Sequence, residues 1–255
     1  MRRIRVAVDT SLAALFIVVM ATALVQEASH EYLGVGLFAA VVAHTILNRR
    51  RFRALLRGRR SVVRTLRLMV IACLIACVVG QAGSALVLSK FAFGFLPSLP
   101  GASLARRIHM LCSYWSFALA FAHVGLHTKG LGRLMHIENA LDASGVLRFA
   151  IWAGRFFFVA FACFGVYSFV KLDFGAYLLG QVQFAFADRG ISIVHSLMSY
   201  ASIALLIGGL FHCLPAALEA LKATWIRESE PRQRHTVRIS QTVETKSSKW
   251  HNHVH

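Results

Sequence analysis

Charge is scarce in this chain, and acidic charge scarcest. Of its 255 residues 15% are charged, and Asp plus Glu number 11 against 28 Lys plus Arg. A soluble domain carries about a quarter charged residues, so a soluble class is excluded. Strand-like alternation of apolar and polar residues is absent, which removes a membrane β-barrel. The cysteines, Cys73, Cys77, Cys112, Cys163 and Cys213, form no C-x-x-C motif. A zinc ribbon and a thioether-linked cofactor are thereby not indicated, and the cysteines read as small membrane-helix residues. No tandem repeat of known period occurs.

What the chain has is apolar residues, 57% of the total, in long blocks. Blocks of roughly 17 to 25 residues suit membrane-spanning helices, because lipid forces a spanning segment to satisfy its own backbone hydrogen bonds. Six spans are expected, near 10–26, 31–47, 66–89, 108–127, 149–170 and 191–214. The expected fold is all-α, a polytopic membrane helix bundle over residues 1–226, followed by a disordered polar tail over 227–255. Ala21-Thr22-Ala23 faintly resembles a signal-peptide cleavage site, but the apolar run continues past it, so span one is read as retained.

The net charge of +17 does not point to nucleic acid, because the basic residues gather between apolar blocks. With the N-terminus in the cytoplasm, 23 of the 28 Lys and Arg fall on the inner side, leaving Lys90, Arg106, Arg107, Lys171 and Arg189 outside. The positive-inside rule then places both termini in the cytoplasm. The run from Asn48 to Arg60 reads as a topology determinant lying on anionic lipid. The segment Asp173 to Gly190 is amphipathic and aromatic and is expected along the outer surface.

Two histidine pairs share one spacing. His30 and His44 lie fourteen residues apart in span two, and His109 and His123 fourteen apart in span four. Fourteen helical residues rise about 21 Å and end about 40° short of four turns, so both members of a pair face nearly the same way. Spans two and four run in the same direction, which puts His30 level with His109 at the outer side and His44 level with His123 at the inner side. Ionisable residues inside a membrane are rare and mark function. Two histidines at one depth on neighbouring helices can supply both axial ligands of a haem iron, and here the arrangement occurs twice. Small residues share the histidine faces, Ser113, Ser116 and Ala120 in span four and Gly34 in span two. They leave clearance for a flat macrocycle, and they equally favour plain helix–helix contact.

Other residues compete or assist. His127, His195 and His212 are alternative ligands, although His195 and His212, seventeen apart, point about 100° away from each other. Arg106 and Arg107 flank His109 and are candidate propionate contacts; Arg155 is another, or snorkels to the headgroups. His136 and His235 read as loop and tail residues, and the closing Trp250-His-Asn-His-Val-His as an unstructured end in preference to a metal site.

The stretch from His30-Glu-Tyr-Leu-Gly to His44-Thr-Ile-Leu-Asn-Arg-Arg resembles the opening motif of the flavinylation-associated cytochromes, a family of bacterial membrane proteins. The stretch from Ile108-His109 to His123-Val-Gly-Leu-His127 is similar to that family's second motif. The resemblance covers about fifty residues in two blocks and is looser in spans five and six. It implies a b-type cytochrome of the bacterial cytoplasmic membrane that exchanges electrons with an extracytosolic flavoprotein. Carried over, His30, His44, His109 and His123 are haem ligands and His127 a candidate. Asp142-Ala-Ser144-Gly145 matches a flavin-attachment motif only loosely, which puts any such flavin on a partner.

The expected function is thus a membrane b-type cytochrome with two bis-histidine haems b, relaying electrons between a quinone or cytoplasmic-side donor and an outer redox partner. It is an electron-transfer component more than a stand-alone enzyme. One alternative is the membrane anchor subunit of a quinone-linked dehydrogenase or ferric reductase. An alternative of another class is a haem-free transporter or proton channel with histidine relays, which predicts a polar path at mid-membrane.

Overall fold

The computed structural model describes residues 2–22, 27–57, 61–97, 100–127, 145–182 and 192–251, with side chains through residue 225. Among them the backbone forms seven α-helices and no strand: α1 (Arg2–Thr22), α2 (Glu27–Arg57), α3 (Val62–Leu88), α4 (Ala102–His127), α5 (Gly145–Lys171), the short α6 (Phe174–Leu178) and α7 (Ile193–His251). Six long helices stand where six spans are expected. Most overrun their apolar blocks, because the basic flanking residues stay helical beyond the stretch that lipid requires.

Five of the long helices are apolar enough to cross a membrane: α1 from Arg3, α2, α3, α5, and α7 as far as Trp225. The chain is therefore a multi-pass membrane protein. The long helix outside this set is α4, whose apolar run is interrupted by His109, Ser113, Ser116, His123 and His127. It is also rich in buried residues, including Tyr114, Phe117, Phe121 and Leu126. A helix enclosed by other helices can carry polar groups that a lipid-facing one cannot.

The first four helices form two antiparallel hairpins, α1 along α2 and α3 along α4. The cross-links fix their register. Asp9, in the first half of α1, meets His44, just past the middle of α2, and Val19 near the end of α1 meets His30 near the start of α2. Likewise Arg67, early in α3, reaches the Leu126 carbonyl late in α4 at 2.9 Å, while Ser84 meets His109. Arg64 ties the hairpins together by donating to the Ala54 and Leu55 carbonyls in the last turn of α2, where a helix has no backbone donors of its own to offer.

The core lies on the side of α4 away from its histidines. Phe117, Phe174 and Ile203 are fully buried there with Tyr114, Phe121, Tyr200 and, from α1, Met20 and Ala21. Small residues let the backbones close in: a Cβ on Gly125 of α4 would strike the Gly208 carbonyl of α7, and one on Gly165 of α5 would strike the Ser202 carbonyl of α7. Helices in lipid associate through such close packing, since lipid offers no hydrophobic drive to bring them together.

In the described part of the segment Asp173 to Gly190, the aromatic residues pack against α4. Phe174 turns inward against Tyr114 and Phe117, and the Tyr177 ring stacks on Tyr114 at 4.1 Å. Its aromatic residues bury better against α4 than at an interface, and Asp173, with φ of 47°, makes the turn. Residues 183–190 of that segment lie outside the described residues, as do His136, Asp142 and Ser144 and the side chains of His235 and the C-terminal histidines.

By backbone contacts the chain divides into two compact units, Met1–His212 and Cys213–His255. The second is helical as far as His251, where the polar composition from Arg227 predicts no regular structure. Glu, Gln, Lys and Arg are all adequate helix formers, which accounts for the difference.

Candidate metal centre

The four paired histidines come together two by two. The rings of His30 and His109 have centroids 6.2 Å apart, inclined at 75°. Those of His44 and His123 are 6.4 Å apart, inclined at 79°. The histidine rings thus meet across the space between α2 and α4. On the α2 side a Cβ on Gly34 would find nothing within 4 Å, and α2 has no fully buried residue.

The separation has a chemical meaning. Two imidazoles bonded to one metal at about 2 Å, each ring centre roughly 1 Å beyond its nitrogen, have centres roughly 6 Å apart. Both pairs match that figure. Among the described residues no three His, Cys, Asp or Glu side chains cluster as a metal site. Neither pair is part of such a cluster among the described residues.

Three of the four rings are oriented by the neighbouring helix of their own hairpin. His44 donates from Nδ1 to Asp9 Oδ1 at 2.7 Å, and His30 donates from Nδ1 to the Val19 carbonyl at 3.3 Å. For His109 the partner is Ser84, 3.3 Å from Nδ1. The Ser84 hydroxyl gives its hydrogen to the Gly80 carbonyl at 2.7 Å, so it accepts from Nδ1. With Nδ1 donating, the neutral form of each ring carries its lone pair on Nε2. Metal-binding histidines are held in this way, with the second nitrogen donating to a carboxylate, carbonyl or hydroxyl. At His109 the lone pair is engaged: Gln81 Nε2 lies 3.1 Å from it, and coordination there requires that amide to move aside. The fourth ring differs. Nδ1 of His123 is buried without a partner, as are Ser116 Oγ and Arg67 Nε.

No family model, curated protein or solved structure matches this chain.

The remaining candidates sit elsewhere. The His127 ring lies against that of His123 at 4.4 Å, tilted by 34°, with its Nδ1 donating to the His123 carbonyl at 3.0 Å. That is too close for a metal to lie between the two rings. His195 has its ring edge to face with Phe164 at 6.2 Å, and His212 turns Nδ1 toward the Gly125 carbonyl at 3.4 Å. Arg106 and Arg107 are exposed at the His109 end of α4, and Arg155 lies over the Trp152 ring of its own helix at 4.9 Å. Ser113 bonds the His109 carbonyl at 2.7 Å and the Gln81 amide oxygen at 3.1 Å, Ser116 is buried, and Ala120 is half-buried.

Sequence reasoning missed the supporting residues Asp9, Val19, Gln81, Ser84 and Arg67. One of them carried a signal. Asp9 is an acid at the edge of an apolar run, where ionisable groups mark function, and antiparallel pairing of spans one and two brings it to the depth of His44.

Proposed function

We propose that this chain is a membrane b-type cytochrome that holds one haem between His30 and His109 and a second between His44 and His123. The single observation that carries the proposal is the repeated opposition of two histidines at 6.2 and 6.4 Å. A haem needs only axial ligands from the protein, so two histidines suffice for each. The orientation of three rings by Asp9, Val19 and Ser84 supports it further.

When bound, each haem would supply a one-electron Fe(III)/Fe(II) couple, and a histidine on each side would suit it to electron transfer and not oxygen activation. The chain's own part would be to hold the two groups at histidines separated by about 21 Å of helical rise. In the bacterial cytoplasmic membrane, with both termini inside as the basic residues imply, His30 and His109 mark the outer site and His44 and His123 the inner one. Electrons would then pass between a quinone or cytoplasmic donor and an extracytosolic partner such as a flavoprotein.

The test is a spectrum of the purified protein, oxidised and then reduced with dithionite. A sharp reduced α-band and two haems per chain are expected, with His44→Ala and His123→Ala each losing the same one. A featureless trace, or full haem content in each variant, overturns the proposal.

A further inference from the structure

Among the described residues, only one of the four paired rings hydrogen-bonds a carboxylate. His44 donates to Asp9 at 2.7 Å, whereas His30 and His109 meet the neutral Val19 carbonyl and Ser84 hydroxyl, both at 3.3 Å. The two partners of the α2 histidines come from the same helix, α1, which offers a side-chain anion at one end and a main-chain dipole at the other. A charge-assisted hydrogen bond is shorter and about twice as strong as a neutral one, and a carboxylate behind a ligating imidazole raises its basicity. A more basic ligand stabilises the more highly charged form of the metal it binds.

Resting on the haem reading, we infer that Asp9 is a positioning residue that lowers the electron affinity of the iron between His44 and His123, and so sets that site apart from the His30–His109 site. The couple is one electron added to Fe(III) to give Fe(II); no bond forms or breaks and no proton need move. Asp9 acts through His44 alone. Arg67 and His127 also stand at this end, the former on the Leu126 carbonyl and the latter against His123. The Arg67 charge pulls the potential the other way, and Asp9 offsets it.

The experiment is a redox titration of the haem-loaded full chain in the His30→Ala background, where the His44–His123 haem is the one retained. Asp9→Asn keeps the shape and an acceptor oxygen but removes the charge. It is expected to raise the midpoint potential by the equivalent of about tenfold in the Fe(III)/Fe(II) equilibrium, about 59 mV for one electron. Asp9→Glu is expected to return it toward the starting value. In the His44→Ala background the remaining haem should not respond to Asp9→Asn. Asp9→Ser, a second neutral acceptor, carries the same expectation should the Asn variant fold poorly. An unmoved potential with haem still bound overturns the role of Asp9 and leaves the haem reading standing, and so does an equal shift at both sites. A chain that binds no haem before any change at Asp9 overturns the haem reading itself, and the role of Asp9 with it.

Discussion

The side-chain amide of Gln81 stands 3.1 Å from Nε2 of His109 while its oxygen accepts from Ser113, also at 3.1 Å. One amide thus bridges α3 and α4 across the nitrogen that a metal would use. Binding at this site must break the contact, and a hydrogen bond of this kind is worth about 1 kcal/mol. Gln81→Ala is therefore expected to tighten the His30–His109 haem about fivefold with no change at the other site. Titration of the haem-depleted protein with haem reads this directly. Weaker binding in the variant would mean that Gln81 serves the loaded site instead.

His127 is the strongest competitor for the second site, and its geometry argues against it. Its ring lies tilted against His123 at 4.4 Å and its Nδ1 is spent on the His123 carbonyl. His127→Ala is expected to keep two haems per chain, as are His195→Ala and His212→Ala, whose rings meet Phe164 and the Gly125 carbonyl instead. Haem-to-protein ratios check all three. A drop to one haem in any of them would require a different ligand set.

The matched spacing of His30 and His44 with His109 and His123 was enough to place these four residues opposite one another, because a straight helix converts spacing into direction and depth. The six long helices were legible for the same reason: lipid leaves few options to a long apolar run. The supporting contacts were not. Whether Ser84 faces His109, or Asp9 faces His44, depends on the rotation and register of two hairpins, which side-chain packing sets. The inward turn of Phe174 and Tyr177 escaped notice because an aromatic segment beside a span reads alike whether it lies at the headgroups or inserts under its neighbours.

Glu31, next to His30, grips the turn after α3. Its carboxylate accepts from the backbone N–H groups of Lys90, Phe91 and Ala92, each at 2.9 Å, and from the Ser89 hydroxyl at 2.7 Å. Hydrogen bonds to a charged group contribute about 1.5–3 kcal/mol singly and do not add when shared. Glu31→Ala is expected to weaken this turn by about 2 kcal/mol, raising the deuterium exchange rates of those three amides roughly thirtyfold. Glu31→Gln, which keeps an acceptor oxygen without the charge, should fall between. Unchanged exchange in the Ala variant would show that the turn is held by something other than the carboxylate.

The contact between α4 and α7 tests the bundle independently of any cofactor. A Cβ on Gly125 would collide with the Gly208 carbonyl, a backbone atom that cannot swing away as a side-chain tip can. Separating the helices to admit it would also disturb the adjacent core of Phe121 and Ile203. Overpacking of this kind costs about 1–3 kcal/mol, so Gly125→Ala should lower the unfolding temperature in detergent. Gly83 is the control. It too lies within a helix, α3, but a Cβ there meets nothing within 4 Å. Replacing a helical glycine by alanine gains about 1 kcal/mol of helix propensity, so Gly83→Ala should be neutral or stabilising. Equal loss in the two variants would show that glycine matters here for flexibility and not for close approach. Tolerance at Gly125 would mean that α4 and α7 do not pack backbone to backbone.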